Sequence, residues 1–267
     1  MNRQLPYEIS YKTLETMRTV ENGFLWSTFL CSIMVQLLQC SYVQAQINTA
    51  SCSYTCVTEV INYLSYFSII GYAILYIIVE IFMQPMVSRG RRKGFIDNSL
   101  GTTLLDKPVK NYYDNDSIPA GSYKMLVNCY ENCFFTYNII KEMLPRMIAK
   151  NFIFTVLLFS FAYFGIKDNI VAIPVLQLYL SSLFLFELFY HISFYFRLKH
   201  LCDNFNMIFN VSKSTKNKTI QDAIYMVLEY ETTLAYNKSP NSNKVYRKLN
   251  DKLTSEWEDI KSRLKIG

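Results

Sequence analysis

Few residues in this 267-residue chain have the types and spacing that chemistry requires. Glu187 and His191 stand four apart, an acid and an imidazole on one helical face. Such a pair can move a proton, hold a structural ion pair, or leave the acid to Arg197. Cys129 and Cys133 are also four apart, but two thiols without two further ligands make a poor zinc site, so packing is expected of them. Asp97, Asp114 and Asp116 carry enough carboxylates for a cation, yet acids beside Asn, Gly and Ser more often form turns. No phosphate-cradling glycine loop, dinucleotide fingerprint, HExxH or GxSxG is present. The expectation is a protein that is not an enzyme, with no catalytic residue, metal or cofactor.

Two patterns suit binding and passage better than catalysis. Thr28, Ser32, Gln36 and Gln39 recur at spacings of four, four and three, which places them in one polar stripe along an otherwise apolar helix. Such a stripe avoids lipid. It either bonds to another helix or lines water in an assembly of several copies. The second pattern is the basic run Arg89, Arg91, Arg92 and Lys93 directly after an apolar segment. A run so placed contacts anionic lipid and fixes topology. With Phe95, Tyr112 and Tyr113 nearby it also suits an anionic ligand such as a nucleotide or oligonucleotide, the rings stacking on bases.

The elements that hold these residues are set by apolar runs. Half of the chain is apolar, with 21 Tyr and 19 Phe, and these residues collect into four segments: 23–41, 60–83, 152–166 and 170–196. About 20 helical residues cross the roughly 30 Å of a bilayer core. Run three is short and draws on Met147–Ala149, whereas run two is expected to end at Pro85. If all four cross, 26 of the 27 Lys and Arg lie on one side and only Lys167 on the other. The positive-inside bias then puts both termini in the cytoplasm. Val43-Gln44-Ala45 looks like a signal cleavage site, but the leader would be about 45 residues with mixed charge at its start, so cleavage is not expected.

The predicted fold class is therefore all-α, a four-helix transmembrane protein with a helical cytoplasmic loop and a helical C-terminal tail. Its parts are a cytoplasmic lead over 1–22, spans one and two over 23–83 with an external loop at 42–59, and a basic internal loop and helix over 84–151. A membrane hairpin follows over 152–196, then the tail over 197–267. Cys52 can pair with Cys56 or Cys40 on the external side, or all can stay reduced. Glu80, Glu187 and His191 are the ionisable residues expected within spans, with Glu80 near the interface. In the loop a helix is expected from Ser122 to about Leu144, with Pro145 kinking it. In the tail, helices are expected from Thr219 to about Tyr236 and, after Pro240, to about Lys265. Val245, Leu249, Leu253 and Trp257 give the last one an apolar stripe.

The four-span body, the basic turn-rich middle loop and the tail with Tyr236-Asn237-Lys238-Ser239-Pro240 before a charged helix resemble the small multi-span effectors of bacterial nucleotidyltransferase-linked anti-phage defence, of the Hailong type. The resemblance covers the architecture of the whole chain, not a diagnostic motif. It implies an inner-membrane protein whose cytoplasmic part answers a nucleotide-type product of a partner nucleotidyltransferase, and whose membrane part opens the bilayer. The residues themselves point to an oligomeric channel or permeabiliser, with four copies as the working number because one striped helix cannot enclose a pore. The alternative is a membrane-anchored receptor or scaffold that conducts nothing.

Overall fold

The computed structural model describes residues 8–38, 54–106, 113, 115–164, 185–211, 219–236 and 243–266. Among them the structure is helical, with no strand: α1 (Glu8–Leu38), α2 (Tyr54–Ile77), a π turn (Ile78–Met83), α3 (Gln84–Leu100), α4 (Ser122–Phe164), α5 (Leu185–Val211), α6 (Thr219–Tyr236) and α7 (Asn243–Leu264). The chain divides into two compact units. A hairpin unit comprises Tyr7–Arg89 and the segment beginning at Phe152, and a core unit comprises Gly90–Asn151 and Leu185–Gly267.

In the hairpin unit α1 and α2 run antiparallel. Ser27 Oγ lies 2.9 Å from Ser68 Oγ, and farther along, Cys31 and Leu38 pack with Ile61. At the opposite end Leu14 packs with Val79 and Val87. A Cβ on Gly71 would come within 2.7 Å of the Phe24 ring, so the missing side chain is what admits that ring. Pro85 does not end the helix as the sequence suggested. Proline lacks an N–H and its ring crowds the carbonyl four residues earlier. The widened π turn immediately before it takes up the defect, with Gln84 N–H bonding to Val79 O, and the rod runs on to Leu100.

The core unit is built around Tyr130 on α4. Its ring stacks on Phe205 at 5.0 Å and Phe209 at 5.6 Å, both from α5, and meets Trp257 of α7 edge-on at 5.1 Å. These contacts gather three helices on one side chain, while Tyr130 Oη donates to Asn206 Oδ1 at 2.8 Å. Ala223, Met226 and Tyr230 of α6 complete the core. The apolar stripe of α7 packs inward on its own unit, with Val245, Leu253, Leu264 and Trp257 buried. Pro145, expected to bend α4, lies inside a helix that continues to Phe164.

The connection between α3 and α4 is pinned by polar groups. Asn128 Nδ2 donates to Asn98 Oδ1 (2.9 Å) and Ser99 Oγ (3.0 Å), and Asn128 Oδ1 accepts from Asn115 Nδ2 (2.9 Å). Asn115 Nδ2 also donates to Glu131 Oε2 at 2.7 Å. Gly101, at φ 71°, ends α3 in the left-handed region that glycine adopts without strain.

Trp257 is fully buried, and among the described residues its Nε1–H finds no acceptor. Trp257→Ala is expected to destabilise the protein by about 3–5 kcal/mol, read as a lower melting temperature by circular dichroism of the detergent-solubilised chain. Trp257→Phe removes the unpaired donor along with part of the ring, so its loss should be clearly smaller. Equal losses for the two variants would contradict this packing.

Candidate functional site

The hairpin unit keeps its charges at its ends. Arg18 Nη2 donates to Glu80 Oε1 and to Gln84 Oε1, both at 3.2 Å, and joins α1 to the π turn. Between that pair and Glu59, positions 60–79 of α2 carry no charged residue. Twenty helical residues rise about 30 Å, the thickness of a bilayer core. Glu80 is thus paired, and the pair marks one end of the uncharged stretch.

The helix Thr55–Leu100 is long and apolar enough to cross a membrane, and only 11% of its most apolar stretch is buried. A core helix of a soluble protein would be mostly covered. Here Tyr63, Tyr66, Phe67, Ile70, Ile81 and Phe82 all stand more than half exposed. On run three, Phe152 and Ile153 do the same. Most of run four lies outside the described residues, as do Gln39, Cys40, Cys52 and the hairpin at Lys167. Cys56 is an exposed thiol on α2.

Of the polar stripe of α1, Thr28 and Ser32 are the residues whose side chains the structure describes. Each follows by one position a residue that meets α2, Ser27 and Cys31, and one position turns a helix by about 100°. Gln36 follows Val35 in the same register; its side chain lies outside the described residues. Thr28 Oγ1 bonds back to Phe24 O at 3.0 Å, and Thr28 and Ser32 are half-buried. The hydroxyl that joins the two helices is Ser27. Sequence reasoning missed it because a lone serine is only one polar residue among several until a neighbour is placed beside it.

His191 was expected within a span and is instead packed in the core unit. It is fully buried, with Nε2 3.0 Å from Ile140 O. Phe194 and Leu198, which continue α5, are also buried here. Glu187 sits one turn before His191 on α5, and its side chain lies outside the described residues.

The basic run is split by its surroundings. Arg91 Nη2 donates to Glu231 Oε2 at 2.6 Å and ties α3 to α6. Arg89, Arg92 and Lys93 are exposed. Tyr113 is 3% exposed, lies edge-on to Phe95 at 6.5 Å and accepts from Asn132 Nδ2 at 3.0 Å. Neither Tyr113 nor the equally buried Phe95 has a face open to a base, which corrects the stacking role expected of both. Tyr112 lies outside the described residues. The pattern read as a base platform is core packing, because the loop folds back over α4.

The remaining candidates are structural as well. The Asp97 carboxylate accepts from Thr102 Oγ1, Leu104 N–H and Leu105 N–H at 2.6–2.8 Å, closing the turn after α3. Partial burial opposes its charge, but these three bonds and Lys93 outweigh that and hold the carboxyl below its usual range. Cys133 Sγ lies 3.4 Å from Cys202 Sγ in the core, and burial first, then the neighbouring thiols, push the Cys133 thiol well up. A thiol kept protonated is a poor metal ligand. Among the described residues no group of three or more His, Cys, Asp or Glu gathers around a common point. No protein-family model, curated protein or solved structure matches the chain.

Two outcomes follow from this geometry. In a Ser27→Cys/Ser68→Cys variant lacking the exposed Cys56, mild oxidation should form an intramolecular disulfide, seen as a faster-running band that reductant abolishes. Absence of that band would place the two helices in a different register. Arg91→Ala should lower stability by about 1.5–3 kcal/mol because Glu231 loses a charged hydrogen bond, whereas Arg92→Ala should stay near neutral. Matching effects in thermal melts would refute the division of the basic run.

Proposed function

We propose that the chain is an integral membrane protein of the inner membrane whose hairpin unit crosses the bilayer, and that several copies form a regulated channel or permeabiliser. The observation that carries this reading is the α1–α2 hairpin. Its α2 is uncharged over about 30 Å and apolar on its outer faces and is bounded by an Arg–Glu pair, and on α1 Ser27, one position before Thr28 of the polar stripe, is the residue that meets α2. A stripe of Thr28, Ser32, Gln36 and Gln39 on a lipid-facing surface is unfavourable, and equivalent helices around a shared axis would take it up. Four crossings with both termini in the cytoplasm keep 26 of the 27 basic residues on one side. Four copies remain the working number.

The proposed control comes from the cytoplasmic face. Arg92 and Lys93 on α3, with Arg89 one turn earlier, present exposed cations that suit a phosphate-bearing ligand. In keeping with the resemblance noted above, that ligand is a nucleotide or oligonucleotide made by a partner nucleotidyltransferase, and the setting is anti-phage defence. The phosphates, not the bases, are what these residues recognise. Such binding depends strongly on salt.

Membrane potential in bacteria expressing the chain tests the reading directly. Wild type should depolarise the cells, and Gln36→Leu should relieve this while leaving the amount of membrane-inserted protein unchanged. Depolarisation that is the same in both would remove α1 from the conduction path. Normal potential in both, with or without the neighbouring genes, would leave a membrane scaffold that does not conduct.

A further inference from the structure

α6 is apolar on two opposite faces, and only one of them is used. Ala223, Met226 and Tyr230 are buried in the core unit, together with Thr233. On the other side, Ile220 is 63% exposed, Ile224 50%, Tyr225 55% and Leu228 59%. Ile220, Ile224 and Leu228 are four apart, so they form one ridge, and Tyr225 stands about 100° to its side. Gln221 and Thr232 share this arc and are uncharged. Asp222 and Glu229 fall well round toward the flank, and Glu231 is already neutralised by Arg91.

Size and charge together indicate what covers this face. Four large side chains left half or more exposed offer on the order of 400 Å², within the range of the largest apolar patch on a typical monomer, which is often functional. That is also about half of the roughly 800 Å² each partner contributes to a standard interface. An uncharged centre with an aromatic residue is the composition of an interface core. A helix that lies on an anionic membrane carries Lys and Arg on its polar face, whereas α6 has none and bears Asp222 and Glu229. The face is therefore unsuited to lipid. It is self-complementary, because two copies can cross at Ile224 and Leu228 without bringing like charges together.

We infer that the Ile220–Leu228 ridge of α6 is a self-association surface that pairs with the same ridge of a second copy of this chain about a two-fold axis. The inference rests on the oligomeric reading above and gives it a cytoplasmic contact. Copies inserted in one membrane share an orientation, so the axis stands along the bilayer normal. Two such pairs make an assembly of four. Residues near the axis meet their own counterparts, which is the property the test uses.

The test uses the full chain in native membranes, with Cys40, Cys52 and Cys56 changed to Ser. Copper-phenanthroline oxidation should cross-link a Leu228→Cys variant into a covalent dimer, and a Lys248→Cys control should stay monomeric. In parallel, Ile224→Glu/Leu228→Glu should halve the particle mass in nanodiscs while circular dichroism is unchanged. No cross-link, with wild type still oligomeric and its mass unaffected by the Glu changes, would overturn the α6 contact and leave the oligomeric reading standing. A monomeric wild type would overturn both.

Discussion

The unbroken backbone ladder of the Tyr54–Leu100 rod is the constraint on which the other assignments depend. An apolar segment that ended at Pro85 would need its last carbonyls satisfied by solvent or by caps. The π turn removes that need by shifting the hydrogen bonds one residue along, from Gln84 N–H to Val79 O. Within the hairpin unit the rod holds Glu80 against Arg18, and within the core unit it holds Arg91 against Glu231 and Ser99 against Asn128.

The parts of the fold that were legible in the sequence are those governed by local rules. Thr219–Tyr236 is helical as expected, and α7 ends within a residue of its expected limit, because a helical apolar period runs through each. The Val245–Trp257 stripe packs on its own unit, as such stripes usually do. What was not legible depends on partners distant in sequence. Pro85 and Pro145 look like stops, yet both sit inside helices, since a π turn or local packing can absorb a missing N–H. His191 reads as an intramembrane ionisable group only while its neighbours are apolar in sequence. The Ile140 carbonyl that receives it is 51 residues away.

The same distinction explains the candidate site. Charge and polarity along one helix are visible directly, so the α1 stripe and the α3 cations could be read in advance. Which of several adjacent cations is committed could not. Arg91 and Arg92 are neighbours in sequence but about 100° apart on the helix, and only Arg91 points to the acid on α6. Tyr113 and Phe95 likewise look like open rings beside a basic run. They are buried because the chain between α3 and α4 is drawn down by the Asn98, Ser99, Asn115 and Asn128 network. Each amide in that network is placed by another one, so no single residue announces it.

Among the described residues, two surfaces, one on each unit, lack a partner that accounts for their chemistry. On α1 Thr28 and Ser32 of the polar stripe each lie one position, about 100°, from a residue that meets α2, and on α6 the Ile220–Leu228 ridge lies opposite the face that meets the core. The first is too polar for lipid and the second too apolar for water, so each is unfavourable in the solvent the proposal gives it. Surfaces of opposite character in opposite solvents share one remedy, which is another copy of the chain. Association would bring the polar stripes together inside the bilayer and the apolar ridges together outside it. A scaffold that acts as a single copy accounts for neither surface. An assembly accounts for both, and it is on this mutual support, not on either surface alone, that the proposal of an oligomeric membrane effector stands.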